Sequence, residues 1–407
     1  MADLLAQRPD AKQILALARK DKRGAAASLI GLPLDQQVEL VCETPLVRRA
    51  TMLELLEKPE DVIPLIPEAE LVFTVKAVGV VDGSWILEYA TTPQLVACAD
   101  LDAWNGIAPD VDSLGSWLAV FAEAGDDTVL RAGQGIDTEL WVLYLRDRIW
   151  VELKPNDDES WQPPEGGATL DGQFYYIARK DSDDLAAIGR LVHVLFQHDY
   201  WLYFRVMQGV NWEMDSDLEE WAMRWRTGRL EDLGFPTWDE SMRIYGFIRP
   251  DQHGELPEES TALDIQAWDL PVWMPNLPAT RDSQHAVFRA AAELDQGDRT
   301  SFFYSFIGLA NKIAMADGLA LGDIETLPKA IEKVAVLASL GLEFIAKDKQ
   351  LDLVSVVKRA SLERLFRVGA NLDRPRAEQG RVSYSELLDR SIAKLEGPAY
   401  DPTDEPE

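Results

Sequence analysis

The sequence has little of what a metal centre or a disulfide framework requires. Two cysteines, Cys42 and Cys98, and four histidines occur in 407 residues. Neither cysteine has a CxxC neighbour, so they supply neither a zinc ribbon nor a disulfide scaffold. Positive charge is scarce as well: 40 lysines and arginines face 70 aspartates and glutamates, giving a net charge of −30 and a pI near 4.5. A chain this acidic meets DNA, RNA or an anionic membrane with repulsion, so nucleic acid is not an expected partner. The charge reads first as a solvated, self-repelling surface. Long apolar runs are missing too. A stretch such as "FFYSFIGLANKIAMA" is broken by Asn311 and Lys312 before it reaches the roughly 20 residues of a membrane helix. The opening "MADLLAQRPDAKQ" has no basic region followed by an apolar run, so it does not read as a signal peptide. We therefore expect a cytoplasmic protein without membrane insertion. GxGxxG after a strand, GxxxxGK[ST] and GxSxG are all absent, so no motif names a reaction or a cofactor.

What is present describes a folded, mainly α protein. The apolar fraction is 47% and aromatics make up 9%; 407 residues exceed one ordinary core, which stops growing near roughly 250 to 300. From Gly31 to Trp104 short segments start at prolines: "LPLDQQVELVCE", "TPLVRRATMLELLE", "KPEDVIPLI", "PEAELVFTVKAVG" and "TTPQLVACADLDAW". Proline suits a helix start because its missing N–H has no partner there, and each segment repeats apolar residues three and four apart. Helices this short must bury a stripe on a neighbour, which predicts a superhelical array over residues 1–153. The region is similar to the regulatory cytosolic domain of magnesium transporters and to the flagellar motor switch. That likeness implies an interaction platform, or a divalent-cation sensor using Glu57, Glu60 and Asp61. The competing reading gives these acids to first turns, where the helix dipole favours them.

A polar helix is expected near Asp110 to Gly125. "RIWVEL" and "QFYYIA" alternate in the strand manner and flank a Pro- and Gly-rich connector, which predicts one small β-hairpin with a long loop. The hairpin and a central helical region occupy 154–249, including a helix capped by Ser182 and another that starts at Ser216 and Asp217 and ends at Gly234. Residues 250–281 read as a linker or wrapping loop pinned by Trp268, Trp273 and Met274. Four segments at 282–294, 298–316, 323–369, with a break at Gly341, and 383–395 predict a C-terminal helical bundle. An acidic tail, 396–407, should be disordered.

Candidate site residues cluster in the central region. In "LVHVLFQHDYWLYFR", His193 and His198 are five apart, about 140° around a helix, and so make poor joint ligands. The joint His198, Asp199 and Tyr200 reads as a helix break that could face a cleft. Downstream, Trp212, Trp221 and Trp225 accompany Arg224, Arg226 and Arg229. These arginines could fork onto a carboxylate or phosphate, or pair with Glu219, Glu220, Glu231 and Asp232 on their own segment. "LANKIAMADGLALGDIETL" resembles the tellurite-resistance helical proteins, whose acids are linked to metal binding. It fails the EF-hand pattern at Leu319 and Leu321. Gly318 as a left-handed C-cap and Asp323 as the next N-cap account for the same residues.

The strings "ATTPQLVACADLDAWNG", "RWRTGRLEDLGFPTWDESMRIYGFIRP", "LANKIAMADGLALGDIETL" and "SLERLFRVG" together resemble an uncharacterised bacterial family whose domain has no assigned function. The resemblance spans about residues 30 to 395, implies a bacterial, largely helical, cytoplasmic protein, and transfers no site. Two functions follow as expectations. The first is a noncatalytic scaffold or adaptor with a protein partner. The alternative is a metal-dependent enzyme, or a divalent-cation or small-anion sensor, using His198, Asp199, Tyr200, Arg224, Arg226 and Arg229.

Overall fold

The structure is a computed structural model that describes residues 10–156, 160–179, 185–256, 283–323 and 325–378. The Ser182 cap, the linker residues 257–281 with Trp268, Trp273 and Met274, the helix expected over 383–395 and the tail lie outside the described residues. Among the described residues twenty α-helices and two small sheets make the protein mainly α. No helix among the described residues is long and apolar enough to cross a membrane. The described residues divide into two compact units, the first lying within 10–234 and 320–326, the second within 235–256, 283–319 and 327–378.

The first unit opens with eight short helices: α1 (Ala11–Ala18), α2 (Lys22–Leu29), α3 (Leu34–Glu43), α4 (Arg49–Leu53), α5 (Pro59–Val62), α6 (Glu68–Val78), α7 (Ser84–Glu88) and α8 (Thr92–Asp102). Prolines mark their starts as expected: Pro33 and Pro67 stand at N-caps, and Pro59 in a first turn. Glu60 and Asp61 occupy the first turn of α5, where the helix dipole stabilises them. Two polar ties hold the array. Buried Arg49 pairs with Glu70 of α6 and donates to the carbonyls of Thr44 (3.0 Å) and Cys42 (2.7 Å), closing the end of α3. Gln94 completes a capping box with Thr91 and donates to the carbonyls of Ile63 (2.9 Å) and Ile66 (2.7 Å), fixing α8 to the turn after α5.

A two-residue hairpin, β1 (Trp104–Asn105) with β2 (Ala108–Pro109), leads into α9 (Val111–Ala124), α10 (Asp126–Gly135) and α11 (Thr138–Arg148). Helix α9 is less polar than its sequence reads: Leu114, Trp117, Leu118, Val120 and Phe121 are buried, with Trp117 and Phe121 rings 6.0 Å apart. The expected hairpin is present within this unit. β3 (Ile149–Leu153) pairs antiparallel with β5 (Phe174–Ala178), and the loop contributes a third strand, β4 (Ala168–Thr169), on the far side of β5. Ile149 and Val151 are buried while Trp150 and Glu152 face out, the period of two that betrayed the strand. Phe174 meets Phe204 edge-on at 5.5 Å, docking the sheet on the helices that follow. These are α12 (Leu185–His198), α13 (Tyr200–Trp212) and α14 (Asp215–Asp232).

The second unit holds α15 (Trp238–Met242), α16 (Ala286–Ala291), α17 (Gln296–Ala316), α18 (Thr326–Lys349), α19 (Leu353–Val357) and α20 (Leu362–Glu378). Phe288, Phe302, Phe306 and Phe366 fill its core. The break expected at Gly341 is corrected: α18 runs unbroken to Lys349, and the chain turns at Gln350, whose φ is +55°. Gly341 serves another purpose. A Cβ there would collide with the carbonyl oxygen of Leu365, and one at Gly369 with that of Leu337, so the two glycines mark where α18 and α20 touch backbone to backbone.

Candidate functional site

The first unit carries a groove of about 740 Å³. The turn between α10 and α11, the C-terminal end of α13 and the exposed side of α14 line it. Arg146 of α11 fixes this geometry by donating to the carbonyls of Val210 (3.2 Å) and Gly209 (2.6 Å), the last turn of α13, and pairing with Asp215 at the start of α14. Gly209 lets the two helices close, because a Cβ there would stand 2.7 Å from Val142.

Helix α14 shows two rows four residues apart. Leu218, Ala222, Arg226 and Leu230 are buried. One position earlier, Asp217, Trp221 and Trp225 line the groove, the spacing that stacks side chains along one helix face. The indoles of Trp221 and Trp225 lie 6.0 Å apart at 24°. With Trp212 and Met214 they leave much apolar surface open: Trp212 is 54% exposed, Trp221 46%, Trp225 52% and Met214 61%. Carboxylates surround them. Asp137, Glu139, Glu213 and Asp217 line the groove against one arginine, Arg205. Arg205 approaches Glu139 only to 3.8 Å. Asp137 is held by Arg229, and Glu213 and Asp217 have no cationic partner among the described residues.

The arginines of α14 differ in burial and in partners. Arg226 is buried and donates to the carbonyls of Asp100 (2.7 Å) and Gly106 (3.2 Å) while its guanidinium stacks 4.6 Å from the Trp104 ring. Burial pulls it down to about 10, so it stays charged at neutral pH. Arg229 forks onto Asp100 (2.6 and 2.9 Å) and Asp137 (2.9 and 2.6 Å). Burial opposes its charge, but the hydrogen bonds it donates to both carboxylates outweigh that and raise its pKa. The pairing expected with Glu219, Glu220, Glu231 and Asp232 is thus replaced by partners on other elements, Asp100 of α8 and Asp137 before α11. Arg224 is exposed and lies 4.8 Å over the Trp221 ring.

The joint between α12 and α13 is a helix cap. Asp199 accepts from the backbone N–H of Leu202 (3.1 Å) and the side chain of Gln134 (3.2 Å), and His198 is exposed at the end of α12. Tyr200 packs on Phe196 and Tyr203 at 6.0 and 5.9 Å. Among the described residues no hydrogen bond, ion pair or ring contact joins this triplet to the arginines. Glu213 and Asp217 are groove residues that sequence reasoning missed, although Asp217 stands four residues before Trp221, a spacing that places both on one face.

The second unit has its own charged cluster. Lys333 donates to Asp317 and to the Tyr245 hydroxyl, both at 2.6 Å, and Tyr245 donates to Asp317 at 2.6 Å. Lys333 and Asp317 are buried, and burial lowers the lysine pKa against the opposing pull of Asp317. Gly318, with φ of +60°, ends α17 in the left-handed conformation as expected. Among the described residues no group of three or more His, Cys, Asp or Glu side chains is placed to hold a metal ion.

Residues 26–381 match the model of a family of unknown function, DUF6178, and the chain belongs to that family. No curated protein and no solved structure matches the chain.

Proposed function

We propose that the chain is a noncatalytic, cytoplasmic helical adaptor that binds another protein through the tryptophan-lined groove of its first unit. The observation that carries this reading is the grouping of Trp212, Met214, Trp221 and Trp225, each about half exposed or more, along one groove. Indoles left in water on a rigid helix are costly unless they are covered part of the time, and tryptophan dominates the energetics of protein interfaces. Helix α14 needs none of them for its own packing, which its other row supplies. A small-anion pocket at Arg226 and Arg229 would require open guanidinium donors, whereas theirs already bond to carbonyls and carboxylates.

A photoreactive phenylalanine analogue placed at Trp225, with a second placed at exposed Val81 as control, tests the proposal in the native cell. A covalent adduct with another protein at Trp225 and none at Val81 is expected. No adduct at Trp225, or the same adducts at both positions, contradicts it.

A further inference from the structure

We propose that the segment entering the groove is basic, an arginine-bearing stretch of the partner whose guanidinium stacks on an exposed indole and bonds to Glu213 and Asp217. This rests on the reading of the groove as a protein-binding surface. Charge complementarity decides the occupant. Of the four carboxylates that line the groove, Asp137 is held by Arg229 and Glu139 faces Arg205, which leaves Glu213 and Asp217 without a cation among the described residues. An acidic segment meets repulsion there, and a purely apolar one strips water from Glu213 and Asp217 without replacing their hydrogen bonds. A cation answers both the carboxylates and the rings. The chain's own indoles already behave this way: guanidinium groups rest over Trp150 (Arg179, 3.5 Å), Trp104 (Arg226, 4.6 Å) and Trp221 (Arg224, 4.8 Å). Trp212 and Trp225, at the groove itself, have no cation over them among the described residues. Arginine suits the site better than lysine, because a planar fork can stack and bond to two carboxylates at once.

The test uses the full chain and a fluorescent peptide of alternating arginine and serine, read by anisotropy. Because the whole protein is acidic, some attraction is unspecific, so the groove variant Glu213→Gln/Asp217→Asn is compared with the charge-matched surface variant Glu57→Gln/Glu60→Gln. We expect the groove variant to weaken binding about tenfold or more and the surface variant less than about twofold. Trp225→Ala, shown folded by circular dichroism, should also cost about tenfold. A peptide with citrulline in place of arginine should bind at least about tenfold more weakly. Absence of binding, equal loss in the two double variants, or equal binding of the citrulline peptide overturns the inference. Free arginine amide binding as tightly as the peptide also overturns it, in favour of a small-cation pocket. A Trp225 adduct in the cell combined with any of these results leaves the adaptor reading standing and removes only the basic segment. No adduct removes both.

Discussion

Around α14 the same kinds of group, arginine, tryptophan and carboxylate, meet in two places to opposite effect. In the first, Arg226 and Arg229 have their donors met by carbonyls and by Asp100 and Asp137. In the second, at the groove, Trp221 and Trp225 stack in water beside Asp217, whose charge has no cationic partner among the described residues. Charge that is satisfied inside the fold belongs to stability; aromatic surface and charge left open are available for recognition.

Substitutions should separate the two settings. The largest effect is expected from Arg229→Ala, which strands Asp100, 1% exposed, and Asp137, 11% exposed, without their counter-ion. Loss of about 3 kcal/mol in urea unfolding is expected, with Arg229→Lys recovering only part because a lysine cannot fork onto both carboxylates. A loss under about 1 kcal/mol would erase the distinction between the two settings. Arg226→Ala leaves two carbonyls without donors and uncovers Trp104, and should cost about 2 kcal/mol by the same measurement. The double change Trp221→Ala/Trp225→Ala should lower stability by less than about 1 kcal/mol, as half-exposed side chains contribute little to the core, while abolishing the adduct formed from a probe at Trp212.

The remaining effects concern the closed interior away from α14. Cys42 and Cys98 are buried free thiols, and burial, with Glu70 adding, pushes Cys42 up to about 12. Alkylation at pH 8 should be on the order of a thousandfold slower than for an exposed thiol, because the thiolate is the nucleophile. The same shift sets a direction with pH. Between the ordinary value of 9.0 and about 12 the folded chain keeps a proton that the unfolded chain loses, so the first unit should lose stability as pH rises through that window.

Much of the architecture was legible in the sequence because it is written in local periods. Proline positions marked helix starts, the alternation in "RIWVEL" and "QFYYIA" marked the paired strands, and "QHDY" marked the cap between α12 and α13. What escaped is what depends on distance along the chain. Arg229 finds Asp100 at 129 residues and Asp137 at 92 residues of separation, so nearby acids stood in for the true partners. Gly341 looked like a helix breaker because a lone glycine has that local cost. Its purpose, contact with α20 at Gly369, appears only once both helices are in place. The tryptophans of the groove were visible as a group, but their grouping with Glu213, Asp217 and the α10–α11 turn is tertiary.

The most direct test labels the indole nitrogens of the 13 tryptophans, assigns their resonances by single Trp→Phe changes, and follows them by NMR during titration with the arginine-serine peptide. The account predicts that Trp212, Trp221 and Trp225 shift with one shared saturation curve while buried Trp104, Trp117 and Trp141 stay in place. Shifts spread evenly over exposed indoles such as Trp150 and Trp201, or none at the groove, would contradict it.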